Sequence, residues 1–429
     1  MKNIFTSWGN LKYCFPKNIV NVSNKTAALK NKFIAYGNGR SYGDVCLVNE
    51  GDIVLSNNFA NVINFDENKQ EVEVGSGLLL SQLMQFLSDK KLSLPVVPGT
   101  KYITVGGAIA NDIHGKNHHN KGSFGNHVES ILLLRSNGKK YLCNKIRNQK
   151  LFFATIGGLG LTGIIISAKL KLMPHISDFV LIQNLPFYSI TEYLSLSRKY
   201  ANSDFVVGWI DSTSKNHRGV FEVANYFNSH KRVLSDDLDL SLFTYPKIKF
   251  SILSAFVVKL FNILYFNYSV FIKNKKIINF YKFHFPLDGI KKWNRMYGSK
   301  GFYQFQFSLP IHSCVNHLNY ILDYFRLHNQ NSFLTTIKVF GESKSPGILS
   351  FPQSEHITVA MDFKNTEKSV KCIKHIESYI SANHGYIYLA KDALLSKTNF
   401  YKIYHKENIR KFLKYKDPNA RSLMFERLF

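Results

Sequence analysis

Between residues 33 and 172 the chain breaks into short apolar runs separated by turns rich in glycine and asparagine. The runs Asp52-Ile-Val-Leu, Val62-Ile-Asn-Phe and Glu71-Val-Glu-Val are continuous or alternate with period two, as strands do. Residues 78–87 have helical spacing, which predicts a helix with Leu79, Leu83, Phe86 and Leu87 on one buried face. Residues 163–173 alternate again and close the unit as a strand. After Pro174 phenylalanine and tyrosine become frequent. Strand-like runs centre on Val206, Phe302 and Ile357, and helices are expected over 315–327 and 370–382. This mixture indicates an α+β chain with one unit at 1–178 and a second at 179–385. The charged segment 386–429 is too short to fold alone and is expected to complete the first unit.

Period two also sorts the run 302–309. Tyr303, Phe305 and Phe307 face one way, towards a core, while Gln304, Gln306 and Ser308 form an amide face suited either to a polyhydroxyl ligand or to solvent. Lys338 stands alone in the strand-like Thr335-Thr-Ile-Lys-Val-Phe, and Lys391 follows Tyr386-Ile-Tyr-Leu-Ala. In a regular strand Tyr388 and Lys391 would point to opposite sides, so a bend is needed if both reach one ligand. A lysine desolvated beside a cofactor can act as base or stabilise an anion. The apolar, aromatic segment 250–272 is interrupted by Lys259, Asn262 and Asn267 and flanked by Lys247, Lys249, Lys273, Lys275 and Lys276. It reads either as a membrane-interface segment or as a buried helix pair, and not as a full span.

The 429 residues are 45% hydrophobic, enough for a sizeable core, and the formal charge of +26 favours phosphates, anionic membrane or nucleic acid. Without zinc-finger spacing or an RNA-binding signature, no nucleic-acid partner is expected. Five scattered cysteines without a Cys-x-x-Cys pair suit reduced thiols in the cytoplasm, and the first fifteen residues lack the apolar core of a signal peptide.

The chemistry concentrates in 98–125, where residues 99–125 hold six glycines, three histidines and three lysines. Glycines let a backbone approach a ligand closely, and the basic side chains add donors and charge. A second anion loop, Gly37-Asn-Gly-Arg-Ser-Tyr-Gly-Asp44, follows the apolar run Phe33-Ile-Ala. Together they point to a phosphorylated, redox-active cofactor. Gly158-Leu-Gly-Leu-Thr-Gly163 has Rossmann spacing, but a strand follows it where that fingerprint needs a helix, so a nicotinamide site is not expected. His114 and His118 are four apart, yet Gly115 and Asn117 disfavour a helix there, so no metal is expected.

In order, Gly-Arg-Ser-Tyr-Gly-Asp, Pro-Gly-Thr, Thr-Val-Gly-Gly-Ala-Ile-Ala, Asp-Ile-His-Gly-Lys-Asn-His-His, Gly-Ser-Phe-Gly-Asn-His and Gly-Leu-Thr-Gly-Ile-Ile resemble the flavin oxidases of the vanillyl-alcohol oxidase type. Within them the pattern is most similar to the decaprenylphosphoryl-β-D-ribose 2'-oxidase group. Trp293-Asn-Arg-Met-Tyr-Gly, Gln304-Phe-Gln, Ser350-Phe-Pro and Leu389-Ala-Lys-Asp extend the resemblance over nearly the whole chain.

The resemblance implies a two-domain flavoprotein, with a split FAD-binding domain enclosing a substrate-binding domain built on an antiparallel sheet. FAD would contact Gly37, Asn38, Gly39, Arg40, Ser41, Tyr42, Gly43, Gly99, Thr100, Thr104, Val105, Gly106, Gly107, His114, Gly115, Lys116, Asn117, His118, Ile165 and Tyr388. Arg40 stands where relatives with covalent flavin carry histidine, so non-covalent FAD is expected. Gln304, Gln306, Lys338 and Lys391 would face a sugar; Lys391, with His114 as alternative and Tyr42 nearby, would serve the chemistry. The implied reaction oxidises a sugar hydroxyl, the 2'-hydroxyl of a polyprenyl-phosphate-linked pentose, to a ketone. An NAD(P)H-dependent short-chain reductase partner then completes an epimerisation for cell-envelope polysaccharide, on the cytoplasmic side with peripheral inner-membrane contact. Residues 234–283 match poorly, and Ala360 replaces the cysteine of mycobacterial members, which leaves the exact sugar and lipid open. The alternatives are an alditol or aldonolactone oxidase on the same fold and a basic membrane-binding protein without catalysis.

Overall fold

The computed structural model describes residues 4–21, 28–229, 242–271 and 275–429. The expected early strands form at Asp52–Leu55, Val62–Asp66, Glu71–Gly75 and Ile164–Lys171. Strand Asp52–Leu55 runs parallel between Asn18–Asn21 and Phe33–Tyr36. The other three join Val128–Leu134 and Lys140–Asn144 in a five-stranded antiparallel sheet. The helix in 78–87 runs Leu80–Ser88 and buries Leu80, Leu83, Met84 and Leu87. Leu79 is its extended N-cap and Phe86 is only half-buried, so the buried face is turned from the expected one.

An eight-stranded antiparallel sheet dominates the second unit. Its order is Lys276–Asn279, Phe179–Phe187, Gly219–Tyr226, Phe205–Ile210, Thr335–Val339, His356–Lys364, Phe302–Pro310 and Tyr386–Ile387. Thus the sheet reaches two residues past position 385. One face packs against the helices Ile190–Lys199, Cys314–Leu327 and Glu367–Ala382, burying Phe305, Phe307 and Leu309 with Leu318, Phe325 and Ile376. The opposite face carries the alternate residues of the same strands. Register lines them up in rows: Gln304 lies beside Asp362, Gln306 beside Ala360 and then Thr336, and Ser308 beside Thr358 and then Lys338.

The C-terminal helices Lys397–Ile403, Lys406–Leu413 and Leu423–Leu428 return to the first unit. Phe412, Met424 and Leu428 share a core with Phe33 and Ile34, and Phe33 bridges Ala420. Arg427 ties the two ends together, its guanidinium 2.9 Å from both Asp44 and Asp392. A pair this enclosed is costly to break from one side, since each carboxylate would be left buried and unpaired.

Residues 255–271 form a single helix, Ala255–Phe271, and not a buried pair. Ile272 and Lys273 lie outside the described residues. Among the described residues no helix is long and apolar enough to cross a membrane.

Candidate active site

A cavity of about 360 Å3 lies between the first unit and the amide face of the large sheet. Its glycine wall begins where strand Phe33–Tyr36 ends. There Gly37, Asn38, Gly39, Arg40, Ser41 and Tyr42 line it, facing Gly99, Thr100, Thr104, Gly106, Gly107, Gly115, Lys116 and Ile165. Close packing forces two of these glycines. A Cβ on Gly37 would stand 2.5 Å from Thr104 Oγ1, and one on Gly106 would stand 2.9 Å from Ser76 Cβ. Thr104 caps the helix Val105–Ala110 by accepting from the Gly107 N–H at 3.1 Å. Arg40 stacks over Trp8 at 4.1 Å, and burial holds its guanidinium below its ordinary range. Among the described residues the N–H groups of Gly37 to Ser41 donate to no other backbone group. A row of such donors on backbone interrupted by two glycines, with one fixed cation, fits a dinucleotide pyrophosphate.

The opposite wall holds the reactive side chains. Gln304 and Lys338 line it from the sheet, and Tyr388 and Lys391 from the segment after strand Tyr386–Ile387. The expected bend is a turn closed by Lys391 N–H to the Tyr388 carbonyl at 3.0 Å, and Tyr388 Oη donates to the Asn111 carbonyl at 2.9 Å. Lys391 Nζ lies 5.5 Å from the centre of the Tyr42 ring. Burial pulls Lys391 down to about 8 against the opposing attraction of Asp362. Asp362 is pushed up to about 7 by burial; it accepts from Gln304 Nε2 at 2.7 Å and from Tyr297 Oη at 3.2 Å.

His114 is held at both nitrogens, 3.1 Å from Gln306 Nε2 and 3.2 Å from Lys338 Nζ. Burial first, and then the Lys338 charge, keep its pKa well below the usual value. Lys338 is itself lowered to about 7, chiefly by burial. Thr358 donates to the Phe307 carbonyl at 2.8 Å, so it accepts from Gln306 Nε2 at 3.1 Å. The other Gln306 N–H then points at His114 Nε2, which puts the imidazole proton on Nδ1, where it can donate to Lys338 Nζ whenever that amine is unprotonated. The carbonyl oxygens Gln304 Oε1 and Gln306 Oε1 are buried without a partner. Such acceptors are costly unless a ligand hydroxyl meets them.

Five residues expected at the ligand do not line the cavity. Gly43 packs on the Asp392 carbonyl and Val105 is core. Asn117 donates to the Pro95 carbonyl at 2.8 Å, while His118 accepts from Gly341 N–H and packs on Phe340. Gln306 sits one layer behind His114. Conversely, Ser76, His284, Asp288 and Trp293 line the cavity without having been expected at the ligand. Asp288 accepts from Thr100 Oγ1 at 2.7 Å and from Lys101 N–H at 2.9 Å.

Residues 16–144 match a family model described as an FAD binding domain. The decaprenylphosphoryl-β-D-ribose oxidase of Mycolicibacterium smegmatis is 34% identical over 387 residues, covering 86% of this chain and 83% of its own. The D-arabinono-1,4-lactone oxidase of Kluyveromyces lactis is 23% identical over 40% of this chain and 35% of its own. The L-gulonolactone oxidase of Mus musculus is 28% identical over 32% of this chain and 31% of its own. With the first relative aligned along most of both chains, this chain belongs to the FAD-linked oxidases of the vanillyl-alcohol oxidase type and is an FAD-dependent oxidoreductase.

Proposed function

We propose that the protein oxidises the 2'-hydroxyl of a polyprenyl-phosphate-linked pentose to a ketone. This would be the first half of an epimerisation serving cell-envelope polysaccharide, with an NAD(P)H-dependent short-chain reductase as partner. The place of action would be the cytoplasmic face of the inner membrane. The observation that carries the reading is the wall of two lysines, Lys338 and Lys391, and the partnerless amide oxygen of Gln304 facing the cavity, in a chain aligned along most of its length with a decaprenylphosphoryl-ribose oxidase. Amide oxygens accept from sugar hydroxyls, and lysines meet a phosphate or an alkoxide.

When bound, FAD supplies the acceptor for the hydride leaving the carbinol carbon. The residues from Gly37 to Tyr42, with Thr104, Gly106 and Gly107, would hold it. Non-covalent attachment is favoured because Arg40 occupies the glycine loop and both nitrogens of His114 are already engaged. Lys391 takes the hydroxyl proton. Burial lowers its pKa to about 8, so the free amine becomes accessible at mildly alkaline pH, and it lines the cavity, whereas His114 would have to surrender a hydrogen bond to accept a proton. Lys338, on the same wall, receives the phosphate or holds the sugar in register.

A second reading, oxidation of a free aldonolactone or alditol, draws on the partial similarity to the two lactone oxidases. Anaerobic mixing separates the two. A short-chain polyprenyl-phosphoryl ribose should bleach the flavin absorbance, while ribose, xylitol and an aldonolactone should not. Bleaching by the free sugars alone would select the second reading.

A further inference from the structure

The helix Ala255–Phe271 is seated on the protein along one narrow side. Val258, Asn262, Phe266 and Ser269 are buried, four or three residues apart, and Asn262 donates to Asp211 at 3.1 Å. The remaining faces are open and, apart from Lys259 and Asn267, mostly apolar. Phe256 is 74% exposed, Leu264 59%, Tyr268 62% and Phe271 89%, and Phe250 and Ile252 extend the surface into the segment before the helix. Scattered surface apolar residues need no explanation, but a contiguous set of this size marks an interaction face.

Three observations choose its occupant. A charge of +26 opposes burial against a second copy of the chain. The helix bears Lys259 and no acidic residue, and exposed Lys247, Lys249, Lys275 and Lys276 bracket it, which complements anionic headgroups. Its 17 residues span about 25 Å, and one side is already taken by protein, so it can lie in an interface but not traverse it. The inner side of the same helix adjoins the cavity. Leu253 and Val258 share a cluster with Trp8 and Trp293, which are themselves cavity wall.

We propose that the outer face of the helix Ala255–Phe271 seats on an anionic bilayer with its axis in the membrane plane, presenting the cavity to lipid-borne substrate. The seat itself stands on the surface; its purpose rests on the lipid-linked substrate reading. The full chain loaded with FAD should co-sediment with vesicles of phosphatidylcholine and phosphatidylglycerol. It should bind pure phosphatidylcholine more weakly, and high salt should reduce the binding without abolishing it. The variant Phe256→Ser/Leu264→Ser/Phe271→Ser, altered only at exposed positions, should keep its flavin and lose partitioning by about tenfold or more. Lys275→Glu/Lys276→Glu should lose the preference for the anionic lipid. Equal partitioning of the triple variant and the parent would overturn the proposal. So would a parent dimer that the triple variant dissociates and that ignores vesicles. Turnover of a water-soluble phosphosugar by parent and triple variant should be equal. If neither turns it over while the parent still binds vesicles, the substrate reading fails and the seat stands.

Discussion

Replacing Asp362 by asparagine tests the electrostatics of the cavity with almost no change of shape. The carboxylate accepts from Gln304 Nε2 on one oxygen and from Tyr297 Oη on the other. The asparagine oxygen can keep the first bond, and its NH2 can donate to the tyrosine hydroxyl once that reverses. What disappears is the negative charge that opposes the burial-driven fall of Lys391, now at about 8. An opposite charge close by is worth about 1–3 pK units, so Lys391 should fall by about one unit or more, or about 1.4 kcal/mol. The wild-type pair titrates together, and the measured midpoints belong to both groups. The assay is the pH profile of kcat/KM from flavin reduction. With Lys391 as base, activity rises with pH through its pKa, and the midpoint should move to lower pH by about one unit or more in the variant. Relative activity at pH 6 to 7 should therefore rise. A midpoint that stays in place or moves up would refute the coupling. An alkaline limb that moves down would keep the coupling but make the lysine a cationic stabiliser.

Lys391→Ala should keep FAD and abolish substrate-dependent bleaching; normal bleaching would remove it from the chemistry. Gln306→Ala takes away the amide that positions His114 and should raise KM by about tenfold with flavin content unchanged, a loss near 1.4 kcal/mol. Gly43→Ala would set a Cβ 1.6 Å from the Asp392 carbonyl oxygen, so the loops bearing Tyr42 and Lys391 must part. Gel filtration should then show flavin lost from the protein, and full retention would contradict the stated packing. Acid precipitation of the parent protein should release all flavin to the supernatant; yellow pellets would overturn the non-covalent reading.

Much of this was legible in sequence where a short period governs. The alternation in 302–309 separates Phe305 and Phe307, which sit under helices, from Gln304, which lines the cavity. What remained hidden depends on partners far along the chain. Asp362 matters because register lays it beside Gln304, a relation that no local pattern encodes. His118 shares a motif with His114, yet the chain turns after Asn117 and directs it to Gly341 N–H. The helix at Leu80–Ser88 buries Leu80 and Met84 because Leu79 stays extended as its cap, which shifts the start by a residue and rotates the stripe. Asp288 reaches the cavity from a short turn after Pro286, in a stretch with no periodicity to read.

The cavity closes between two loops, at Gly37–Asp44 and at Tyr388–Asp392, that stand roughly 350 residues apart in the chain. During synthesis at about 5–20 residues per second, the glycine loop waits about 20–70 s before its counterpart exists. Until then Tyr42 N–H lacks the Ala390 carbonyl, and Asp44 lacks Arg427. The wall that carries Tyr388 and Lys391 is therefore the last part of the cavity to be made, and closing it is a long-range contact of the kind that slows folding.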